Sequence, residues 1–164
     1  LGMDAYPNYY RASPVAGDVV GERVARIQGE SCGMPIVVVE TGYPTGPAIE
    51  GFDEAQQAQY VQTAFDGAIA AGASGFFLFG TQTAETSTVE ITPEDLANLA
   101  LVAAAYDSGD VGALVGFLLT NVDYIQTHFV YVLQAVEPFW GLVRGDGSHK
   151  QAWDTYAAIA HAVP

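Results

Sequence analysis

Met34-Pro-Ile-Val-Val-Val39 is an apolar, β-branched run through which no polar residue alternates, the pattern of a strand covered on both faces, as in a parallel sheet. It stops at Glu40-Thr-Gly-Tyr-Pro-Thr-Gly46, and a second such run, Gly75-Phe-Phe-Leu-Phe-Gly80, follows further on. Ahead of both, residues 1–6 read as a strand that enters an aromatic loop ending near Pro14. Between the strands, residues 18–31 carry Val19, Val20, Val24, Ala25 and Ile27 at helical spacing, with Asp18 as the expected N-cap and Gly29 and Gly33 at the close. Residues 54–71 form a second helix capped by Asp53, its inward face expected from Ala58, Val61, Ala64, Phe65, Ala68 and Ile69. Strand, helix, strand, helix, strand calls for parallel strands joined by crossover helices, an α/β fold.

Beyond Gly80 helices take over. A Thr-rich loop leads to a helix opened by Thr92-Pro-Glu-Asp95, followed by helical segments near 111–119 and 122–136. A turn at Gly145-Asp-Gly147 precedes a last helix over 150–162 with Trp153, Tyr156 and Ile159 on one face. The apolar stretches 114–119 and 129–136 are more hydrophobic than a small exposed helix needs, and predict burial against another segment or chain. No repeat or linker divides the 164 residues, which read as one domain.

Charge excludes several partners. Five basic residues stand against nineteen acidic ones, a formal charge of -14, so the surface repels phosphate backbones and nucleic acid is not an expected partner. No apolar run reaches the ~18 residues of a membrane span. Cys32 alone supports neither an internal disulfide nor a cysteine-rich zinc site. His128, His149 and His161 lack ligand spacing with it or with one another, and no phosphate loop with its Lys is present, so neither metal nor nucleotide cofactor is expected. The acidic balance suits a solvated surface in general or a secreted or halophilic protein in particular; the expected location is extracellular or at the cell surface.

Glu40 is the sharpest chemical feature. A carboxylate at the end of a buried strand is costly to desolvate unless it is paired or used. Either it accepts a hydrogen bond from the neighbouring turn, or it belongs to a site at the carboxyl edge of a parallel sheet, where catalytic groups gather.

Val38-Val-Glu-Thr-Gly-Tyr-Pro-Thr45 resembles the strand-seven signature of retaining (β/α)8-barrel glycoside hydrolases, especially the β-1,3-glucanases and their clan A relatives, which carry a Glu-Thr-Gly-Trp-Pro-Ser type sequence. Tyr43 stands where those enzymes usually have Trp. Asp4-Ala-Tyr-Pro-Asn-Tyr-Tyr10 is similar to the family's Asn-x-Tyr-Pro-Tyr segment at strand six, with Asp4 in place of Asn, and Trp140-Gly-Leu-Val-Arg-Gly-Asp-Gly-Ser-His-Lys150 resembles its closing Gly-Leu-Val, Asp-Gly-Ser and Lys pattern. The resemblance implies a partial barrel, the last three strand-helix units with additional C-terminal helices, the strands lying near 1–6, 34–40 and 75–80. Leu1 then lies inside strand six, and the chain reads as a processed, truncated or partly read product of something longer.

By the same resemblance Glu40 is the nucleophile that forms a covalent glycosyl-enzyme on a β-glucan. Tyr6 would hold it ionised, and Tyr9, Tyr10 and Tyr43 would offer flat faces to sugar rings or else pack the rim. Retaining hydrolysis also needs a second carboxyl group ~5 Å away. The family takes it from an Asn-Glu pair that is absent here. Asp4 and Glu85 are the candidates within the chain, each otherwise a solvated or turn-capping carboxylate, whereas Glu137 reads as a helix-end or interface charge. Trp140 and Trp153 are expected to pack the last helix. An isolated three-strand piece exposes its edges together with Phe77 and Phe79, so the expected partners are a saccharide and another segment or copy that covers the open barrel. The alternative is a non-catalytic half-barrel that binds carbohydrate or self-assembles.

Overall fold

The computed structural model describes residues 1–9, 11 and 13–162. Three parallel strands, β1 (Gly2–Ala5), β2 (Ile36–Thr41) and β3 (Ala73–Leu78), lie side by side in chain order, with β2 at the centre. Helix α1 (Asp18–Glu30) connects the first pair and α2 (Glu54–Ala70) the second. The register runs Met3 to Val38, then slips so that Asp4 pairs with Glu40 and Val39 is passed over. That irregularity turns the end of β2, and Glu40 with it, relative to the strand below.

One face of the sheet is packed. Met3, Ala5, Ile36 and Val38 meet Val20 and Val24 of α1 and Tyr60, Ala64 and Ala68 of α2 in the main core. The two helices touch at Gly21 and Gly67, where a Cβ on Gly21 would fall 2.7 Å from the Gly67 backbone. Asp53 caps α2 as expected, accepting from Gln56 N–H at 2.8 Å while Gln56 Oε1 accepts from the Asp53 amide. Asp18 does not cap α1. It is the first helical residue, and Gly17 occupies the cap position without a side-chain bond. Ile69 is also turned outward, 44% exposed, because one residue beyond Ala68 is a rotation of about 100° away from the buried stripe of Gln57, Tyr60, Val61, Ala64 and Ala68.

The opposite face is open, contrary to the two-sided burial expected of the β-branched run. Gly2, Val37, Val39, Gly75 and Phe77 share it: a Cβ on Gly2 would meet Val39 at 3.2 Å, and one on Gly75 would meet both Val37 and Phe77. Val39 is 41% and Phe77 57% exposed. The composition of β2 suits a strand enclosed by a barrel, and three strands are too few to close one.

After β3 the chain forms α3 (Pro93–Ser108), α4 (Val111–Thr120), α5 (Val122–Tyr124), a π-helical turn at Ile125–Phe129, α6 (Val130–Leu133) and a 3-10 turn at Glu137–Phe139. The helical segment expected near 122–136 is present over 122–133, with the π-helical turn inside it, and ends in a turn over 134–136. These elements own a separate core of Leu99, Phe117, Phe129 and Val132. Beside it, buried Asp95 reciprocates the cap with Thr92, accepts the Tyr124 hydroxyl and lies 3.1 Å from His128 Nε2. Burial opposes its ionisation, but the bonds from Tyr124, Thr92 and His128 outweigh it and hold the carboxyl below the usual range. Phe129, Val132, Ala135 and Val136 are buried as expected, whereas Val130 and Tyr131 in the same stretch and Val115, Leu118 and Leu119 of α4 face solvent. Helix α7 (Gln151–Ala162) returns to α2, joining Ala152 and Ile159 to Val61 and Leu142, with Trp153 and Tyr156 packed alongside. No helix among the described residues is long and apolar enough to cross a membrane.

Candidate active site at the carboxyl edge of the sheet

All three strands run the same way, so their carboxyl ends meet on one edge, and the residues just past them converge there. Tyr6 follows β1, Glu40 lies in the last pair of β2, and Phe79 follows β3, its amide bonded to Thr41 O at 2.7 Å. Tyr6 Oη donates to Glu40 Oε2 at 2.8 Å. Its ring stands edge-on to Phe79 at 5.8 Å and to Trp140 at 5.3 Å. Tyr9 lies nearly parallel to Trp140 at 6.1 Å and donates its hydroxyl to Glu137. Two tyrosines that touch each other at 6.4 Å therefore carry one carboxylate each over a shared Trp140 floor.

Local sequence explains this placement. Thr41 is fully buried, and its Oγ1 donates to Ala5 O at 2.7 Å and lies 2.8 Å from Tyr60 Oη, which locks the strand ends directly beneath Glu40. Gly42 admits the indole, since a Cβ there would stand 2.9 Å from Trp140. Buried Gln57 Nε2 reaches the carbonyls of Tyr43 at 2.8 Å and of Trp140 and Gly141 at 3.3 Å, tying the turn after β2 to the segment after the helical extension.

Burial, then the bond to Glu40 and the charges of Glu40, Asp4 and Glu137, raise the Tyr6 hydroxyl well above its ordinary pKa. Tyr6 therefore remains a neutral donor to Glu40 throughout the working range of pH. Asp4 is exposed and is the strand neighbour of Glu40, roughly 4.8 Å across the ladder at the backbone.

The remaining sequence candidates fall elsewhere. Tyr43 is 3% exposed, packs on Phe52 and Tyr60, and donates to Gln56 Oε1 at 2.8 Å. Its flat face is turned into the core and is not available to a sugar. Glu85 accepts from Lys150 Nζ at 2.7 Å and has Arg144 at 3.9 Å, so it serves as the counterion of a buried cation. Tyr10 lies outside the described residues. Trp140 packs under Tyr6 and Tyr9 in the main core and not on the last helix; Trp153 does pack there, against His149.

Glu137 is the group that sequence reasoning set aside. It stands at the start of a 3-10 turn, yet the path of the preceding helices returns it to the edge where Glu40 lies. It lies three residues before Trp140, just outside the third matched motif, so no motif marked it. Among the described residues no group of three or more His, Cys, Asp or Glu side chains could hold a metal ion.

No protein-family model and no curated protein matches this chain. Among solved structures, the exo-β-1,4-mannosidase Op5Man5 from Opitutaceae bacterium strain TAV5 is similar in fold, with a TM-score of 0.51 over 99% of this chain at 15% sequence identity. The chain spans 22% of the length of that enzyme. This likeness rests on fold and not on sequence, and it identifies the three parallel strands with their helices as part of a (β/α)8 barrel.

Proposed function

We propose that the chain is the C-terminal portion of a retaining glycoside hydrolase that acts on a β-linked glycan, with Glu40 as its nucleophile. The observation that carries this reading is Glu40 at the carboxyl end of the central parallel strand with Oε2 held by the neutral Tyr6 hydroxyl at 2.8 Å. A carboxylate so held is fixed in its aim. One Glu40 oxygen attacks the anomeric carbon while the glycosidic oxygen leaves with a proton from a general acid; water then attacks the same carbon, loses its proton to the same group and frees Glu40.

The acid/base is supplied by a segment or partner chain that covers the open face, with Asp4, the ladder partner of Glu40, the candidate within these residues. The motifs around Glu40 favour a β-1,3-glucan. The structural neighbour is a β-1,4-mannosidase, so both substrates belong in the assay. A saccharide substrate and an acidic surface fit a protein working outside the cell or on its surface.

The decisive test is Glu40→Gln, assayed on soluble β-1,3-glucan and β-1,4-mannan. Turnover falls ~1000-fold or more while saccharide affinity is retained, because the amide keeps the shape and loses the nucleophile. An active preparation that keeps its rate after this change removes Glu40 from the role. The exposed Val39 and Phe77 favour a second reading, a half-barrel that binds saccharide or assembles without cutting. Saccharide binding with no turnover by the unaltered protein selects it.

A further inference from the structure

Residues 93–133 form a body of their own beside the carboxyl edge of the sheet. Its helices pack on one another around Leu99, Phe117, Phe129 and Val132, a core distinct from the one beneath the strands. Where this body faces the loop after β1, Val102, Tyr106 and Leu114 stand across a cavity of about 530 Å³ from Tyr6 and Tyr9, so a space and not a packed seam separates them.

The chain enters and leaves this body at one place. Glu85 N–H donates to Pro138 O at 2.9 Å, which sets the incoming and outgoing segments side by side. Both are fixed on the barrel side of that contact: Glu85 pairs with Lys150, and Val136 and Trp140 belong to the main core. On the far side, 86–92 and 134–135 lie in no helix or strand, and Thr86, Thr88 and Gln134 are exposed. Adjacent irregular segments between two separately packed bodies make a hinge.

The other end of the body is fastened by charge. Helix α3 carries Asp107 about 21 Å beyond Pro93, and there Arg11 forks onto both carboxylate oxygens at 2.7 and 2.6 Å. Arg11 is anchored in turn, donating to Pro7 O at 2.6 Å. Its bond, and after it the charges of Arg11 and Arg23, outweigh burial and hold the Asp107 carboxyl below its ordinary range. The carboxylate is half-exposed, so water can replace the pair and salt weakens it. Loss of one pair at the end of so long a lever frees the body to swing.

We propose that the helical extension is a lid, hinged beside the Glu85–Pro138 contact and latched to the loop after β1 by the Arg11–Asp107 pair. Latched, it stands over Tyr6 and Tyr9; released, it uncovers that side of the carboxyl edge. The motion follows from packing and charge alone, whereas its use in admitting ligand to Glu40 rests on the glycosidase reading.

The test is the distance between two nitroxide labels, on Glu30→Cys of α1 and Ala104→Cys of α3, measured by pulsed electron-spin resonance in the full chain carrying Cys32→Ser. Labelled protein is diluted in unlabelled protein, so that distances within one molecule are read. At low salt the parent gives one principal distance. Arg11→Ala and Asp107→Asn each add a longer one and raise the open fraction about 5- to 10-fold. Salt at 1 M, where the Debye length is about 3 Å, shifts the parent in the same direction. The exchanged pair, Arg11→Asp with Asp107→Arg, moves the distribution back toward the parent, and unchanged circular dichroism excludes unfolding as the cause. Identical distributions in the parent and both single variants overturn the lid, whatever the activity. A longer distance that the exchanged pair leaves in place overturns the latch. If the variants open while kcat and KM of an active preparation stay at the parent's values, the gating of Glu40 is overturned. Opening in a protein that turns over no glycan supports the lid and removes the glycosidase reading alone.

Discussion

Glu50 lies in the 3-10 turn Ala48–Glu50, 3% exposed, with Oε1 left without a hydrogen-bond partner among the described residues. Burial pushes its carboxyl from the ordinary 4.5 up to about 8. The folded state thus holds this proton more tightly than the unfolded chain does. The resulting stability is complete below about pH 4.5 and is lost as pH rises through about 8. Glu50→Gln mimics the protonated form, so it should leave stability nearly unchanged at pH 4 and raise it by about 1–3 kcal/mol at pH 9. Urea unfolding at the two pH values measures this, and an equal effect at both contradicts it. Tyr6→Phe bears on chemistry instead. Loss of a hydrogen bond to a charged acceptor should lower kcat/KM about 10- to 100-fold, and an unchanged value would mean that the bond does not serve Glu40. That Glu40 and Tyr6 end neighbouring strands at one edge was legible in the sequence because each closes a strand within a compact motif. Glu137 was not, since its place at the site depends on the path of some sixty intervening residues.

Among the elements, the segments at the carboxyl edge are braced by an unusual strut. Lys150 precedes α7 and its side chain is fully buried; Nζ donates to Thr45 Oγ1 at 2.8 Å, to Phe139 O at 3.2 Å and to Glu85. It therefore ties together the turn after β2, the loop after β3 and the segment that carries Glu137 and Trp140. Glu85 adopts φ 60 to meet it, a left-handed conformation that a residue with a Cβ holds only when its surroundings impose it. Arg144 extends the chain of charges from Glu85 to Glu54 on α2. The two partners are not equivalent. Glu85→Gln strands a buried ammonium and should cost about 3–5 kcal/mol, whereas Lys150→Met removes the buried charge, leaves Glu85 within reach of Arg144, and should cost about 1–2 kcal/mol. Thermal unfolding of both variants and of the double variant tests the order; a larger loss for Lys150→Met refutes it. The sequence pattern placed Lys150 in a family motif and Glu85 in a loop, but nothing in the pattern joined them. Ion pairing across 65 positions follows from tertiary packing, while periodicity reports only which face of an element is apolar.

At the scale of the molecule, the sheet poses a problem that its own residues do not solve. β1 and β3 are both edges, so each presents a row of backbone groups to whatever lies beside it. The face turned away from α1 and α2 displays Val39, Phe77 and Phe79, and Val115, Leu118 and Leu119 of α4 add a second apolar surface. A run such as Ile36–Val39 was read as enclosed on both sides, and the structure encloses it on one. The mismatch is informative, because β-branched residues directed at water gain nothing there, and the neighbour of similar fold is several times longer than this chain. A preparation of these 164 residues alone should accordingly self-associate at neutral pH despite a formal charge of -14, with the open face as its principal contact. Light scattering should then give a mass well above 17.3 kDa. Val39→Lys combined with Phe77→Lys should return it to the monomer without loss of helical signal, since neither side chain contributes to the packed core. A monomeric parent would mean that the edges and the open face are already protected. A double variant that remained associated would instead shift the contact to α4, where Leu119→Lys is the corresponding change.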